Sequence, residues 1–220
     1  MKYGICNLSI VPIRSEANDK SEQTSQLLYG ETFVIVEERT KWTKIKLCFD
    51  NYIGWINNKQ FEIINEDKLK LVSKEPQTYS YDLVEFIENT HQELIAIPIG
   101  SSLNALNILK HSYDGNKISG IQEKSKIITT ALRFLNSPYL WGGRTPFGID
   151  CSGFTQMVYK LNGYKLERDS HLQAKQGSSL SFIEESEPGD LAFFDNKEGE
   201  IVHVGIIMDN NHIIHASGKV

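Results

Sequence analysis

This 220-residue sequence holds no unbroken run of about 18 apolar residues, so nothing in it is long enough to cross a bilayer as a helix. Cysteine is scarce. Cys6, Cys48 and Cys151 are odd in number and far apart, which argues against a disulfide framework, and no C-x-x-C pair points to zinc. Positive charge is not in excess: 23 Lys and Arg stand against 28 Asp and Glu, a net charge of −5. That balance gives no electrostatic footprint for nucleic acid or an anionic membrane. Low-complexity segments are absent. The first stretch, MKYGICNLSIVPIRSE, has one lysine and a short apolar run that Asn7, Ser9 and Pro12 interrupt, so it makes a poor signal peptide. The chain reads as cytoplasmic unless a leader has been removed from it.

What is there is ordinary soluble composition, 40% hydrophobic and 23% charged, enough for one large domain or two to three small ones. Over residues 32–64 the stretches TFVIVEE, KWTKIKLCF, YIGWIN and FEII read as short strands, with Gly30-Glu31, Asp50-Asn51 and Asn57-Asn58 as turns. They predict a small β-barrel over residues 1–64. In residues 65–121, DKLKLVS, ELIAIPIGSSL and NALNILKH read as further strands, with YDLVEFIENT as a short helix or irregular insert. A second small barrel is expected there. From residue 122 the character changes. SKIITTALRFLN puts Ile128, Leu132 and Leu135 on one helical face, with Ser125 as its cap. GDLAFFD and IVHVGIIMDNNHIIHASG then read as strands, with Asp209-Asn210-Asn211 as a hairpin turn. A helix followed by an antiparallel sheet makes residues 122–220 an α+β domain.

Within it, GIDCSGFTQMVYKLNG places a thiol between an aspartate and a serine. Phe154, Met157, Val158 and Leu161 recur at helical spacing behind it, and Asp150 is a natural N-cap. Cys151 then opens the helix, where unpaired N–H groups and the helix dipole favour a thiolate. A nucleophile also needs a base and a group to orient that base. His203 and His215 lie in the two arms of the expected hairpin. If its turn holds three residues, Met208 faces His212 and His203 faces Ser217. His215 then shares the His203 face one diagonal step away, at roughly 7 Å between Cβ atoms. Val202, Val204, Ile206 and Met208 fill the opposite face.

Blander readings compete. A lone cysteine is more often structural than catalytic, and a strand histidine is usually only hydrogen-bonded. His212 falls at the turn, and His91, His111 and His171 have no partner legible in the sequence. Zinc on Cys151, His203 and His215 has acceptable ligands but lacks a fourth.

Taken together, YLWGGRTPFGIDCSGFTQMVY, PGDLAFFD and HVGIIMDNNHIIHASG resemble the NlpC family of papain-like cysteine peptidases, which act on bacterial cell-wall peptides. The resemblance implies Cys151 as nucleophile, His203 as general base and acid, and His215 as the group orienting it. It also implies that Tyr139 helps the Cys151 backbone N–H bind the oxyanion. SEQTSQLLYGE and DNYIGWI are similar to the SH3-like barrels of one subgroup, the γ-D-glutamyl-L-diamino acid endopeptidases that recycle murein peptides bearing a free N-terminal L-alanine. That likeness implies Glu22, Tyr52 and Asp150 at the substrate ammonium and Ser152 and Ser170 at the D-glutamate. Trp141, with Gly142 and Gly143, would form a cleft wall.

The fold class expected is therefore α+β, a papain-like domain behind two small SH3-like barrels. The protein is expected to need no cofactor or metal and to act as a monomer, in the periplasm or outside the cell if a leader is removed. An endopeptidase with an open cleft and an inert wall-binding module are the rival readings. The sequence stops at Val220, soon after HASG, where relatives of this type usually continue: if that is the natural end an edge strand of the catalytic sheet is missing, and truncation or a disordered tail is the milder explanation.

Overall fold

The computed structural model describes residues 1–74, 76–209 and 212–220. The chain divides into two compact units, residues 1–120 and 121–220. In the first, β1 (Lys2–Ile5), β2 (Ile10–Arg14), β3 (Gln23–Leu28), β4 (Thr32–Glu38), β5 (Trp42–Leu47), β6 (Ile53–Asn57) and β7 (Glu62–Ile64) make one antiparallel sheet, ordered β3-β2-β6-β5-β4-β1-β7. Alternation drives it. Thr43, Ile45 and Leu47 of β5 turn inward while Lys46 faces solvent. Val11, Ile13, Leu27, Phe33 and Ile56 from the neighbouring strands complete that core. The sequence reading marked the four strands from Thr32 onward and missed β1, β2 and β3.

Residues 65–120 depart further from expectation. DKLKLVS is a helix, α1 (Glu66–Val72), because Asn65 caps it by accepting from the Lys68 N–H and Glu66 pairs with Lys70 one turn on. After β8 (Thr78–Ser80), YDLVEFIENT supplies a strand, β9 (Val84–Glu88), which pairs with β10 (Leu94–Pro98). NALNILKH is helical, a 3₁₀ turn at Leu103–Ala105 running into α2 (Leu106–Leu109). Short strands β11 (Ser112–Tyr113) and β12 (Lys117–Ser119) follow. Tyr29 shares a core with Ile87, Ile97, Leu103 and Tyr113, so this segment packs on the first sheet. His111 does have a partner: its Nδ1 lies 2.8 Å from the Tyr29 hydroxyl. Cys6 is buried, and burial pushes its thiol up to about 12. Cys48 is exposed.

The second unit starts with α3 (Lys126–Leu132). Ser125 is itself helical and makes no capping bond, and the buried face is Ile127, Thr130 and Ala131, one position away from the face expected. Leu132 and Leu135 are exposed. A small hairpin, β13 (Arg144–Thr145) and β14 (Gly148–Ile149), leads into α4 (Cys151–Leu161), whose Phe154 packs edge-on against Phe134. After α5 (Ser170–Gln173) come β15 (Leu191–Asp195), β16 (Ile201–Ile207) and β17 (Ile213–Ile214), an antiparallel sheet in that order. Val204 and Ile206 are fully buried, whereas Val202, expected with them, is exposed. The Met208 N–H donates to the His212 carbonyl, as the hairpin register required. Asn210 and Asn211 of the expected turn lie outside the described residues.

Candidate active site

The first turn of α4 is built from its cap upward. Asp150 has extended backbone, and its Oδ1 accepts from the Gly153 N–H at 2.7 Å. The Gly142 N–H donates to Oδ2 at 2.8 Å, which ties the 140–143 loop to the helix start. Glycine is required where these segments meet. A Cβ on Gly153 would lie 2.2 Å from the Gly143 carbonyl oxygen and 2.9 Å from Asp150 Oδ1. Cys151 follows as the first helical residue and is buried.

Strand β16 reaches the same point. It packs against α4, and the Val204 and Ser152 backbones act to lower the Cys151 thiol. His203 Nε2 lies 2.7 Å from His215 Nδ1, with the rings nearly perpendicular. Gly205 makes room for this pair, since a Cβ there would stand 3.0 Å from His215 Cβ. Phe194 flanks His203 on its other side. With Nε2 engaged by His215, Nδ1 of His203 is the nitrogen left to exchange a proton with a thiol.

Burial pushes the Cys151 thiol up, and the Asp150 carboxylate adds to that, against the backbone N–H groups and the Arg168 guanidinium. Burial, reinforced by His215, holds His203 below the usual imidazole range. The helix start was expected to favour the thiolate; here desolvation outweighs it, and both shifts favour the neutral thiol–imidazole pair. Tyr139 also borders the thiol: burial raises its phenol, and the Cys151 and Asp150 charges raise it further. The Tyr139 N–H donates to the Gly218 carbonyl, which fixes this loop beside the residues following β17.

Arg168 and Gln173 were not singled out in the sequence, and both matter here. Arg168 is buried and grips Asp150 with two bonds, Nη1 to Oδ1 at 3.0 Å and Nη2 to Oδ2 at 2.6 Å. Its Nη1 also donates to Ser152 Oγ at 2.9 Å. Gln173 donates to the Ser152 carbonyl and accepts from the Thr155 hydroxyl. Of the R-D-S run at 168–170 only Ser170 was noted. Asp150 thus meets two backbone N–H groups and a guanidinium. Ser152 is buried beside it, Ser170 opens α5, and Trp141 is exposed on the adjoining loop. Glu22 and Tyr52 belong to the first unit, Glu22 exposed before β3 and Tyr52 packed on the barrel core before β6. Among the described residues, no group of three or more His, Cys, Asp and Glu side chains is arranged to hold a metal ion. Nor is any helix among them long and apolar enough to cross a membrane.

Known proteins share both parts. Residues 136–220 match the model of the NlpC/P60 family, and residues 13–61 that of the bacterial dipeptidyl-peptidase SH3 domain. A γ-D-glutamyl-L-lysine dipeptidyl-peptidase of Bacillus subtilis is 29% identical over 213 residues, 87% of this chain and 71% of that one. A probable endopeptidase p60 of Listeria seeligeri is 43% identical over 90 residues, 41% of this chain and 17% of that one. The crystal structure of an NlpC/P60 family protein from Bacillus cereus superposes with a TM-score of 0.85 at 19% identity, covering 98% of this chain and 91% of that one.

Proposed function

We propose that this chain, which carries an NlpC/P60 domain over residues 136–220 and a bacterial SH3 domain over residues 13–61, is a cysteine peptidase. Its reaction is hydrolysis of the γ-D-glutamyl–diamino acid bond in cell-wall peptides with a free N-terminal L-alanine. The observation that carries this reading is the 2.7 Å contact between His203 Nε2 and His215 Nδ1, on a strand packed against the helix that Cys151 opens.

The chemistry follows from that arrangement. His203 Nδ1 takes the thiol proton as the sulfur attacks the γ-carbonyl carbon, so charge develops on the carbonyl oxygen rather than persisting on a buried thiolate. The Cys151 backbone N–H, in a first turn where the helix offers no acceptor, and the Tyr139 hydroxyl are the oxyanion donors. The imidazolium is stabilised because its Nε2–H donates to His215. It then gives its Nδ1 proton to the departing amine, leaving a thioester on Cys151. His203 next draws a proton from water, which attacks the thioester and releases the L-alanyl-γ-D-glutamate dipeptide and the thiol.

A second reading is an endopeptidase acting on intact wall, favoured by the higher identity of residues in this part of the chain to the p60 protein. Two substrates separate the readings. L-Ala-γ-D-Glu-L-Lys and its N-acetylated form are incubated with the protein, and the products are identified by mass spectrometry. Cleavage of the free-amine peptide alone supports the dipeptidyl-peptidase. Equal cleavage of both supports the endopeptidase, and cleavage of neither overturns the peptidase reading.

A further inference from the structure

A capping carboxylate directly before a nucleophilic thiol raises a physical problem. Asp150 is needed to anchor the first turn of α4, yet its negative charge opposes ionisation of Cys151 one residue away. The charged or titratable groups that act with the thiol are Asp150 at the cap, Arg168 from the segment before α5 and Tyr139 from the preceding loop, while His203 of β16 and His215 just after β17 pair with each other. Of these only Arg168 carries a permanent positive charge. Its guanidinium is 2% exposed and meets both carboxylate oxygens in a fork, and a third bond to Ser152 Oγ fixes it against the residue after the nucleophile. A surface ion pair would be screened by water, whereas a buried one delivers its charge where it points.

We propose that Arg168 is a positioning residue for the nucleophile, which cancels the charge of Asp150 so that one carboxylate can cap the helix without silencing the thiol beside it. This rests on the reading of Cys151 as nucleophile and adds the device that makes that reading compatible with an aspartate cap. The fork also selects arginine over lysine, because a single ammonium cannot meet both oxygens and Ser152 at once.

The two charges act on the thiol with opposite signs, and that separates an electrostatic role from a merely structural one. The test is the pH profile of Cys151 alkylation by iodoacetamide, read by peptide mapping with exposed Cys48 as internal reference. Wild type, Arg168→Met, Asp150→Asn and the double variant are compared. Arg168→Met is expected to raise the midpoint by about one pH unit, and Asp150→Asn to lower it by a similar amount. The double variant is expected to return near wild type. Equal midpoints in all four overturn the proposal, since loosened packing would change rates without moving midpoints in opposite directions. Should Arg168→Met not fold, Asp150→Asn decides alone: a lowered midpoint supports the proposal and an unchanged one overturns it. Should Cys151→Ala cleave the peptide at the wild-type rate, the nucleophile reading itself falls and the proposal with it.

Discussion

His203 Nε2 and His215 Nδ1 face each other at 2.7 Å across two strands, and only one proton can occupy that contact. When His203 is charged it must donate, so His215 has to be neutral at Nδ1 with its own proton on Nε2. Replacing His215 by Ala removes the acceptor and lets the His203 ring turn. We expect kcat to fall by roughly 100-fold or more while KM changes little. His215→Asn keeps an acceptor oxygen and is expected to retain more activity than His215→Ala. Steady-state kinetics of the three proteins on one peptide check this.

The pH dependence follows from the two shifts at the reacting pair. His203 is held below its usual value of 6.5, first by burial and then by His215. Cys151 is pushed above its usual value of 9.0 by burial and Asp150. The productive form carries one proton between them. Activity is therefore lost as pH falls through the lowered histidine value and as it rises through the raised thiol value. The profile of kcat/KM is expected to be a broad bell, its acid limb below 6.5 and its alkaline limb above 9.0, each belonging to the coupled pair. Limbs inside that interval would contradict the burial described here.

Much of the site was legible because it rests on local periodicity. The apolar spacing after Asp150 marks the start of α4, and alternation along the β16–β17 hairpin puts His203 and His215 on one face. What was missed depends on contacts distant in sequence. Arg168 reaches Asp150 across 18 positions, and nothing around it in the chain announces burial. DKLKLVS shows the other failure. Its apolar residues suggested a strand, while the decisive signals, the Asn65 cap and the Glu66–Lys70 pair, are polar and were given too little weight. The face of α3 slipped by one position although Ser125 does precede its first residue, because Ile127, Thr130 and Ala131 turn inward and Leu132 outward.

Gly153→Ala tests the close approach at the helix start. The added methyl meets the Gly143 carbonyl and Asp150 Oδ1, neither of which can yield without moving the loop or the cap. A loss of about 2 kcal/mol in unfolding free energy is expected, together with most of the activity. Urea denaturation followed by circular dichroism measures the first and peptide cleavage the second.

Gln173→Ala removes a fully buried amide that spans three segments. Its Nε2 donates to the Ser152 and Glu167 carbonyls, and its Oε1 accepts from Thr155. Partners left buried without a bond cost about 1–3 kcal/mol, which should appear as a lower unfolding midpoint. The pH limbs are expected to stay in place, because Gln173 carries no charge.

The most direct measurement is capture of the covalent intermediate. The protein is mixed with excess L-Ala-γ-D-Glu-diaminopimelate, quenched in acid within the first turnover, digested and mapped by mass spectrometry. The account predicts an L-alanyl-γ-D-glutamyl thioester on Cys151, none on Cys6 or Cys48, and no turnover in Cys151→Ala. Peptide cleavage that persists in Cys151→Ala would contradict it.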